Sequence, residues 1–236
     1  MITLLVPRGV TAGRREQVDE REEHHLRVRR AADGELVAIR DGAGLVGMGR
    51  LLASGRSWLV EIETAERRDR PAELTLAVGA GDRERFDWMV EKAVELGVTT
   101  IVPLETERTV GVASRLRRGQ MPKLRTHALE AVKQCGAAWV PDILDPQLVL
   151  EYARQGPRGL GWLADAAGTA APATLDGGAV TIVVGPEGGW SEHERLALLD
   201  GGFRPTALGA LTLRFETAAL AAAAVVGAAR LRGAHG

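Results

Sequence analysis

The sequence predicts an α/β protein, with a mainly parallel sheet over residues 71–236 preceded by a small antiparallel β unit over residues 1–70. Three observations predict it. The chain has 236 residues, enough for one or two domains and a sizeable core. Short apolar runs separated by glycine turns fill its first part, as in small barrels and sandwiches. From residue 71 onward, apolar strands alternate with segments of helical spacing, the pattern of a parallel sheet covered by helices.

In the first part the strand patterns cover residues 35–39, 46–52 and 57–62, with a glycine turn at 41–44. Residues 65–71 are charged, lack periodicity and end in Pro71; they read as a linker and place the boundary near residue 70. Beyond it, residues 73–78 form a strand, and 85–96 a helix whose Phe86, Met89, Val90, Ala93, Val94 and Leu96 recur near helical spacing before Gly97. Residues 101–104 are a strand, 122–134 a helix, 159–164 a strand and 180–184 a buried strand. A helix over 192–199 stops at Gly201 and Gly202; a last strand at 206–209 precedes an alanine-rich helix from about 216 to 231.

Hydrophobic residues make up 45% and charged residues 26% of the chain, which excludes a disordered, collagen-like or disulfide-scaffold protein. The single cysteine, Cys135, forms no internal disulfide and points to a reducing, cytoplasmic setting. The apolar run at 2–6 is broken by Pro7 and Arg8, too short for an export signal, and the stretch at 218–229 is too short for a membrane span. No metal is expected, because His24 and His25 are adjacent and His127, His193 and His235 lack a His or Cys at ligand spacing.

The formal net charge is −1, which by itself argues against a nucleic-acid partner. The 30 basic residues comprise 27 arginines and three lysines, Lys92, Lys123 and Lys133. That preference reads first as coding bias and second as selection for bidentate phosphate contacts. Position separates the two. Residues 108–133 carry Arg108, Arg115, Arg117, Arg118, Lys123, Arg125 and Lys133 against Glu130 alone, a footprint suited to a phosphate backbone, although such a run also serves as a solvated face.

The most informative stretch runs from Thr181 to Glu194. A buried strand ending at Val184 enters a Gly-Pro-Glu-Gly-Gly turn (Gly185, Pro186, Glu187, Gly188, Gly189), and Ser191 with Glu194 makes a capping box for the next helix. A loop between strand and helix lies at the carboxyl edge of the sheet, where α/β folds bind ligands, and paired glycines admit a ligand to the backbone. No Gly-Lys-Ser/Thr follows and Glu187 repels phosphate, so this is no P-loop; a carboxylate there suits hydroxyl, amino or cationic groups. Gly79 and Gly81 form a lone Gly-x-Gly and read as a plain turn.

Near the C-terminus, Leu208-Gly209, a short stretch, and Leu213-Arg214-Phe215-Glu216-Thr217-Ala218 lead into the alanine-rich helix. Together with residues 185–189 this resembles the SPOUT methyltransferases, and more narrowly the ribosomal RNA small subunit methyltransferase E family. The likeness extends to Lys92-Ala-Val-Glu-Leu-Gly-Val98, to Pro103-Leu104 with Glu107-Arg108-Thr109, and to His24-His25-Leu26 with Val28-Arg29. Ala80, Lys133, Ala137 and Leu211 depart from the family pattern.

The resemblance implies an N-terminal PUA-like β-barrel that binds RNA (1–70), a C-terminal SPOUT domain with a trefoil knot (71–236), a homodimer, and S-adenosylmethionine as methyl donor. It implies methylation of N3 of a uridine in 16S ribosomal RNA, with the small subunit or its RNA as partner. On it, Val184, Gly185 to Gly189, Leu208, Gly209, Leu211, Leu213 and Thr217 hold the cofactor. Arg214 would stabilise the imidate formed as N3 loses its proton, and Glu216 would orient Arg214 or accept the proton; helix-start electrostatics are the plainer role for both. Arg27, Arg29 and Arg30, with Arg108, Arg115, Arg117, Arg118, Lys123 and Arg125, would form the RNA platform. Another ribosomal or transfer RNA position, or a catalytically inactive RNA-binding assembly module, are the alternatives.

Overall fold

The N-terminal sheet of the computed structural model, which describes residues 1–234, contains β1 (Thr3–Leu5), β2 (Arg15–Gln17), β3 (Leu36–Arg40), β4 (Leu45–Ser54) and β5 (Ser57–Arg67). His235 and the final residue lie outside the described residues. The order is β1-β3-β4-β5-β2, antiparallel except for the β1–β3 pair. Leu4, Val37, Ile39, Leu45, Leu51, Val60 and Ile62 form its core. Residues 65–67, expected in a linker, instead finish β5: Ala65, Glu66 and Arg67 pair with Gly47, Val46 and Leu45. Ladder hydrogen bonds hold them there without any apolar alternation.

Helix α1 (Glu20–Val28) joins this core through Leu26. No apolar stripe announces it, since Glu22 and Leu26 are its buried residues. Its legible marks lie at its start: Asp19 caps it by accepting from the Glu22 amide, and Glu20, Glu22 and Glu23 fill the first turn. The chain clusters into two units, Met1–Arg70 with Leu129–Val140, and Pro71–Ala128 with Pro141–Gly236. Within the first unit Lys133 Nζ lies 2.6 Å from Glu22 Oε1, with side-chain exposures of 9% and 2%.

Burial pushes the Glu22 carboxyl above its ordinary range, and Lys133 pulls it back down. A carboxyl raised in the folded state contributes stability at low pH and loses it as pH climbs through the folded value. Lys133→Met removes the opposing charge and should cost about 3 kcal/mol at neutral pH. The deficit should shrink toward pH 4, where the carboxyl is protonated in both states. Thermal melts across that range check this, and a deficit that does not change with pH contradicts it.

The second sheet contains β6 (Leu74–Gly79), β7 (Thr100–Glu105), β8 (Asp142–Ile143), β9 (Gln147–Leu148), β10 (Leu160–Ala170), β11 (Val180–Val184) and β12 (Arg204–Ala207). Its order is β12-β10-β11-β6-β7-β8, with β9 also on β7, and every pair is parallel. The helices are α2 (Arg83–Glu95), α3 (Met121–Cys135), α4 (Val149–Gln155), α5 (Glu192–Asp200) and α6 (Phe215–Gly233). The expected strand at 206–209 sits two residues early, because pairing with β10 ends at Ala207; Leu208 and Gly209 are loop.

Strands β6 and β11 are buried at every position, as a sheet covered on both faces requires. Helix α6 packs on both and on α2, and Ala219, Ala222 and Ala223 permit the close approach. Among the described residues no helix is long and apolar enough to cross a membrane. Among the same residues no group of three or more His, Cys, Asp or Glu could hold a metal ion.

Candidate active site

Parallel strands bring all their carboxyl ends to one edge, and here that edge carries two recesses. The first spans the ends of β12 and β10. It is lined by Ala164, Asp165 and Ala166, by Leu208, Gly209, Leu211, Thr212 and Leu213, and by Ala218 of α6. A register shift in β10 between Ala164 and Thr169 pushes residues 165–168 out of the ladder and so makes the wall. Asp165 fastens this bulge, accepting from the Ala167 amide at 2.9 Å and from Arg195 Nη2 at 3.0 Å. Those bonds, the amide first, hold its carboxyl below the usual carboxylate range, so it stays charged. At about 120 Å³ the cleft is smaller than the roughly 300–1,000 Å³ of pockets that enclose a whole ligand. Its small apolar walls suit a flat ring.

The second recess has a volume of about 380 Å³ and spans the ends of β11, β6 and β7. Pro186, Glu187 and Gly188 face Gly81, Asp82 and Arg85 on one side and Arg108, Thr109, Val112 and Ser114 on the other. Glycines permit this closeness: a Cβ on Gly79 would lie 2.6 Å from the Pro186 nitrogen, and one on Gly81 2.3 Å from Glu187 Oε2. Arg108 donates from Nη1 to the Gly188 carbonyl. Glu194, almost fully buried, accepts from the Glu107 and Ser191 amides at 2.8 Å each, tying the loop after β7 to the start of α5.

The model of the RNA methyltransferase domain matches residues 68–227 of this chain. A relative from Synechocystis, a ribosomal RNA small subunit methyltransferase E, is 30% identical over 216 residues, spanning 87% of this chain and 70% of the relative. The chain belongs to the ribosomal RNA small subunit methyltransferase E family. The Treponema pallidum member is also 30% identical, over 88% of this chain and 82% of its own length. The crystal structure of the Neisseria gonorrhoeae small subunit methyltransferase E bound to S-adenosyl methionine superposes with a TM-score of 0.85 at 28% identity, covering 95% of both chains. A methyltransferase from Legionella pneumophila in complex with the same cofactor gives 0.83 at 25% identity, over 97% of this chain and 98% of that one.

In this member of the small subunit methyltransferase E family, the residues singled out from sequence fall into distinct places. Leu208, Gly209, Leu211 and Leu213 line the first recess, whereas Pro186, Glu187 and Gly188 line the second. Val184 ends the buried strand between them; Gly185 lies close to Trp190, its would-be Cβ 3.2 Å from the indole, and Gly189 adopts φ +70°. Arg214 is the exposed N-cap residue of α6, Thr217 is exposed, and Glu216 is buried with Oε1 3.4 Å from Arg85 Nη1.

The basic stretch looks different in space. Asp87 lies 3.5 Å from Lys123, Asp145 lies 3.2 Å from Arg125 and 3.9 Å from Arg118, and Glu22 takes Lys133. Arg115 forms a β-bridge with Asp82 and Arg117 is exposed, as are Arg27, Arg29 and Arg30. Asp165, Ala164, Ala166 and Arg85 escaped sequence reasoning. The Gly79–Gly81 turn, expected to be plain, borders the second recess through Gly81.

Proposed function

We propose that this chain transfers a methyl group from S-adenosylmethionine to N3 of a uridine in 16S ribosomal RNA. The observation that carries the reading is the carboxyl edge itself, where the 208–213 loop, the β10 bulge and the 185–189 loop converge in a member of this family. S-adenosylmethionine is the methyl donor. The donor set fits it: Leu208, Leu211 and Leu213 form apolar walls for an adenine, Ala164, Ala166 and Ala218 leave room beside them, and the charged Asp165 favours a cationic or hydroxyl-bearing ligand. Gly185, Gly188, Gly189 and Gly209 offer backbone groups, with Val184, Pro186, Glu187 and Thr217 completing the surroundings. Bound there, S-adenosylmethionine supplies an electrophilic methyl on a sulfonium.

The chain's own contribution is positioning and local charge. Arg214, exposed at the start of α6, stabilises the negative charge that develops as the N3 proton passes to solvent and the methyl moves from sulfur to N3, leaving the neutral thioether. Arg27, Arg29, Arg30, Arg115, Arg117 and Arg118 meet the RNA backbone, with Lys123 and Arg125 exchanging their carboxylate partners for phosphate. Residues 1–70 act as a PUA-like RNA-binding barrel and 71–236 as a knotted SPOUT domain, in a cytoplasmic homodimer.

Incubation with labelled S-adenosylmethionine and unmodified small subunits, followed by mapping of the modified base, tests this. Label on a uridine N3 supports it; label elsewhere or none overturns it. Arg214→Ala should lower kcat roughly 100-fold with cofactor affinity within about twofold. An equal loss of both removes Arg214 from the chemistry.

A further inference from the structure

Between the two recesses stand the 185–189 loop and the first turn of α6. Ala218 lines the first recess, and Glu216 holds Arg85, which lines the second. Residues two apart on a helix point about 160° from each other, so this turn presents Ala218 to the first recess and Glu216 to the arginine that lines the second. The geometry points to the second recess as the seat of the target uracil, with Arg85 and Arg108 donating to its two carbonyl oxygens and Glu216 positioning Arg85. The assignment rests on the methyltransferase function proposed for the chain and adds to it where the acceptor base sits and what selects it.

Size and donor chemistry both support it. A cavity of about 380 Å³ falls within the range of pockets that enclose a small ligand, and a base modified on its pairing edge must leave its stack to be reached. Uracil N3 lies between two carbonyl oxygens, both acceptors, and both gain negative charge when N3 ionises. Guanidinium has five donors and no acceptor. Arg108 commits Nη1 to the Gly188 carbonyl and Arg85 commits Nη1 to Glu216, leaving further N–H groups on each. Asp82 does not compete, because its carboxylate caps α2 by accepting from the Glu84 and Arg85 amides. Cytosine would turn an amino group toward these donors and leave both sides unpaired, the mismatch that yields strong discrimination.

Glu216 adds an independent observation. It is 7% exposed, and its Oε2 is buried without a hydrogen-bond partner. An orphaned buried carboxylate oxygen is costly. Arg85 already stands 3.4 Å from Oε1, so a base that draws the guanidinium into bidentate register would satisfy Oε2 as well.

The test uses the full chain with unmodified small subunits and compares wild type with Arg85→Ala, Glu216→Ala and Glu216→Gln. At a temperature where the variant is fully folded, Arg85→Ala should lower kcat roughly 100-fold with S-adenosylmethionine affinity nearly unchanged. Its rising pH–rate limb should move about one unit alkaline, because the imidate loses a cation. Glu216→Ala should reproduce these effects, and Glu216→Gln, which keeps an acceptor for Arg85, should restore most of the rate. Saturation-transfer NMR with uridine and cytidine gives a readout apart from turnover: wild type should favour uridine and Arg85→Ala should not. Normal kcat in Arg85→Ala, an unmoved pH limb, or uridine preference surviving the substitution would each overturn the assignment. If wild type transfers no methyl, the proposed function fails, while the uridine titration still decides the pocket.

Discussion

Gly79→Ala should cripple cofactor binding although residue 79 lies outside the cofactor cleft. Gly79 ends β6, opposite Leu104 of β7, and an ideal Cβ there would stand 2.6 Å from both the nitrogen and Cδ of Pro186. Neither neighbour is the far end of a flexible chain; one is backbone and the other a ring closed onto it. Strand β6 is buried at every position and paired on both sides, so it does not yield. The 185–189 loop must move instead, and overpacking of this kind costs about 1–3 kcal/mol. Loss of S-adenosylmethionine affinity by roughly 10- to 100-fold follows if a similar energy is taken from the bound geometry. Gly227→Ala is the contrasting change: nothing lies within 4 Å of its would-be Cβ inside α6, so it should stabilise by about 0.5–1 kcal/mol. Calorimetric titration and thermal melts of the two variants decide the matter. Equal behaviour would show that the strand, not the loop, absorbs the strain.

What the sequence made legible was what burial writes into it. The apolar runs of β6 and β11, the amphipathic α2 and the small-sided α6 declare themselves because a two-faced sheet demands such residues. Features set by partners distant in the chain were not legible. The basic stretch reads as an excess of charge only along the chain; in the fold Asp87, Asp145 and Glu22 reach it from other elements. The wall of the first recess comes from a bulge in β10, and nothing in Asp165-Ala-Ala-Gly168 marks one until β12 is alongside. Residues 129–140 cluster with the first unit although 129–135 are the second half of α3, whose first half belongs to the second, a division with no local signature. The Gly79–Gly81 turn carried a readable hint, two glycines directly after a fully buried strand, and its meaning became clear only with Pro186 and Glu187 against it.

Phe86→Ala should destabilise the second unit by about 3–5 kcal/mol, and the milder Phe86→Leu should uncouple stability from turnover. Phe86 is fully buried and its ring stacks on Phe215, centroids 6.4 Å apart at 29°. The two rings immediately neighbour the two partners of the ion pair: Arg85 precedes Phe86, and Glu216 follows Phe215. An Arg–carboxylate contact of 3.4 Å with one side chain 40% exposed is worth little by itself in holding a guanidinium still. The stacked rings are the rigid element, fixing the register of α2 against α6 on which that pair depends. Leucine fills much of the volume for about 1.5 kcal/mol but cannot reproduce the flat contact, so Arg85 should wander. At a temperature where the variant is fully folded, kcat should therefore fall about tenfold while cofactor affinity holds, since the walls at Leu208 to Leu213 are untouched. A double-mutant cycle between Phe86→Leu and Glu216→Ala should show the two losses failing to add, because both act through the placing of one guanidinium. Strictly additive losses would mean that the rings stabilise the fold and do nothing for the site.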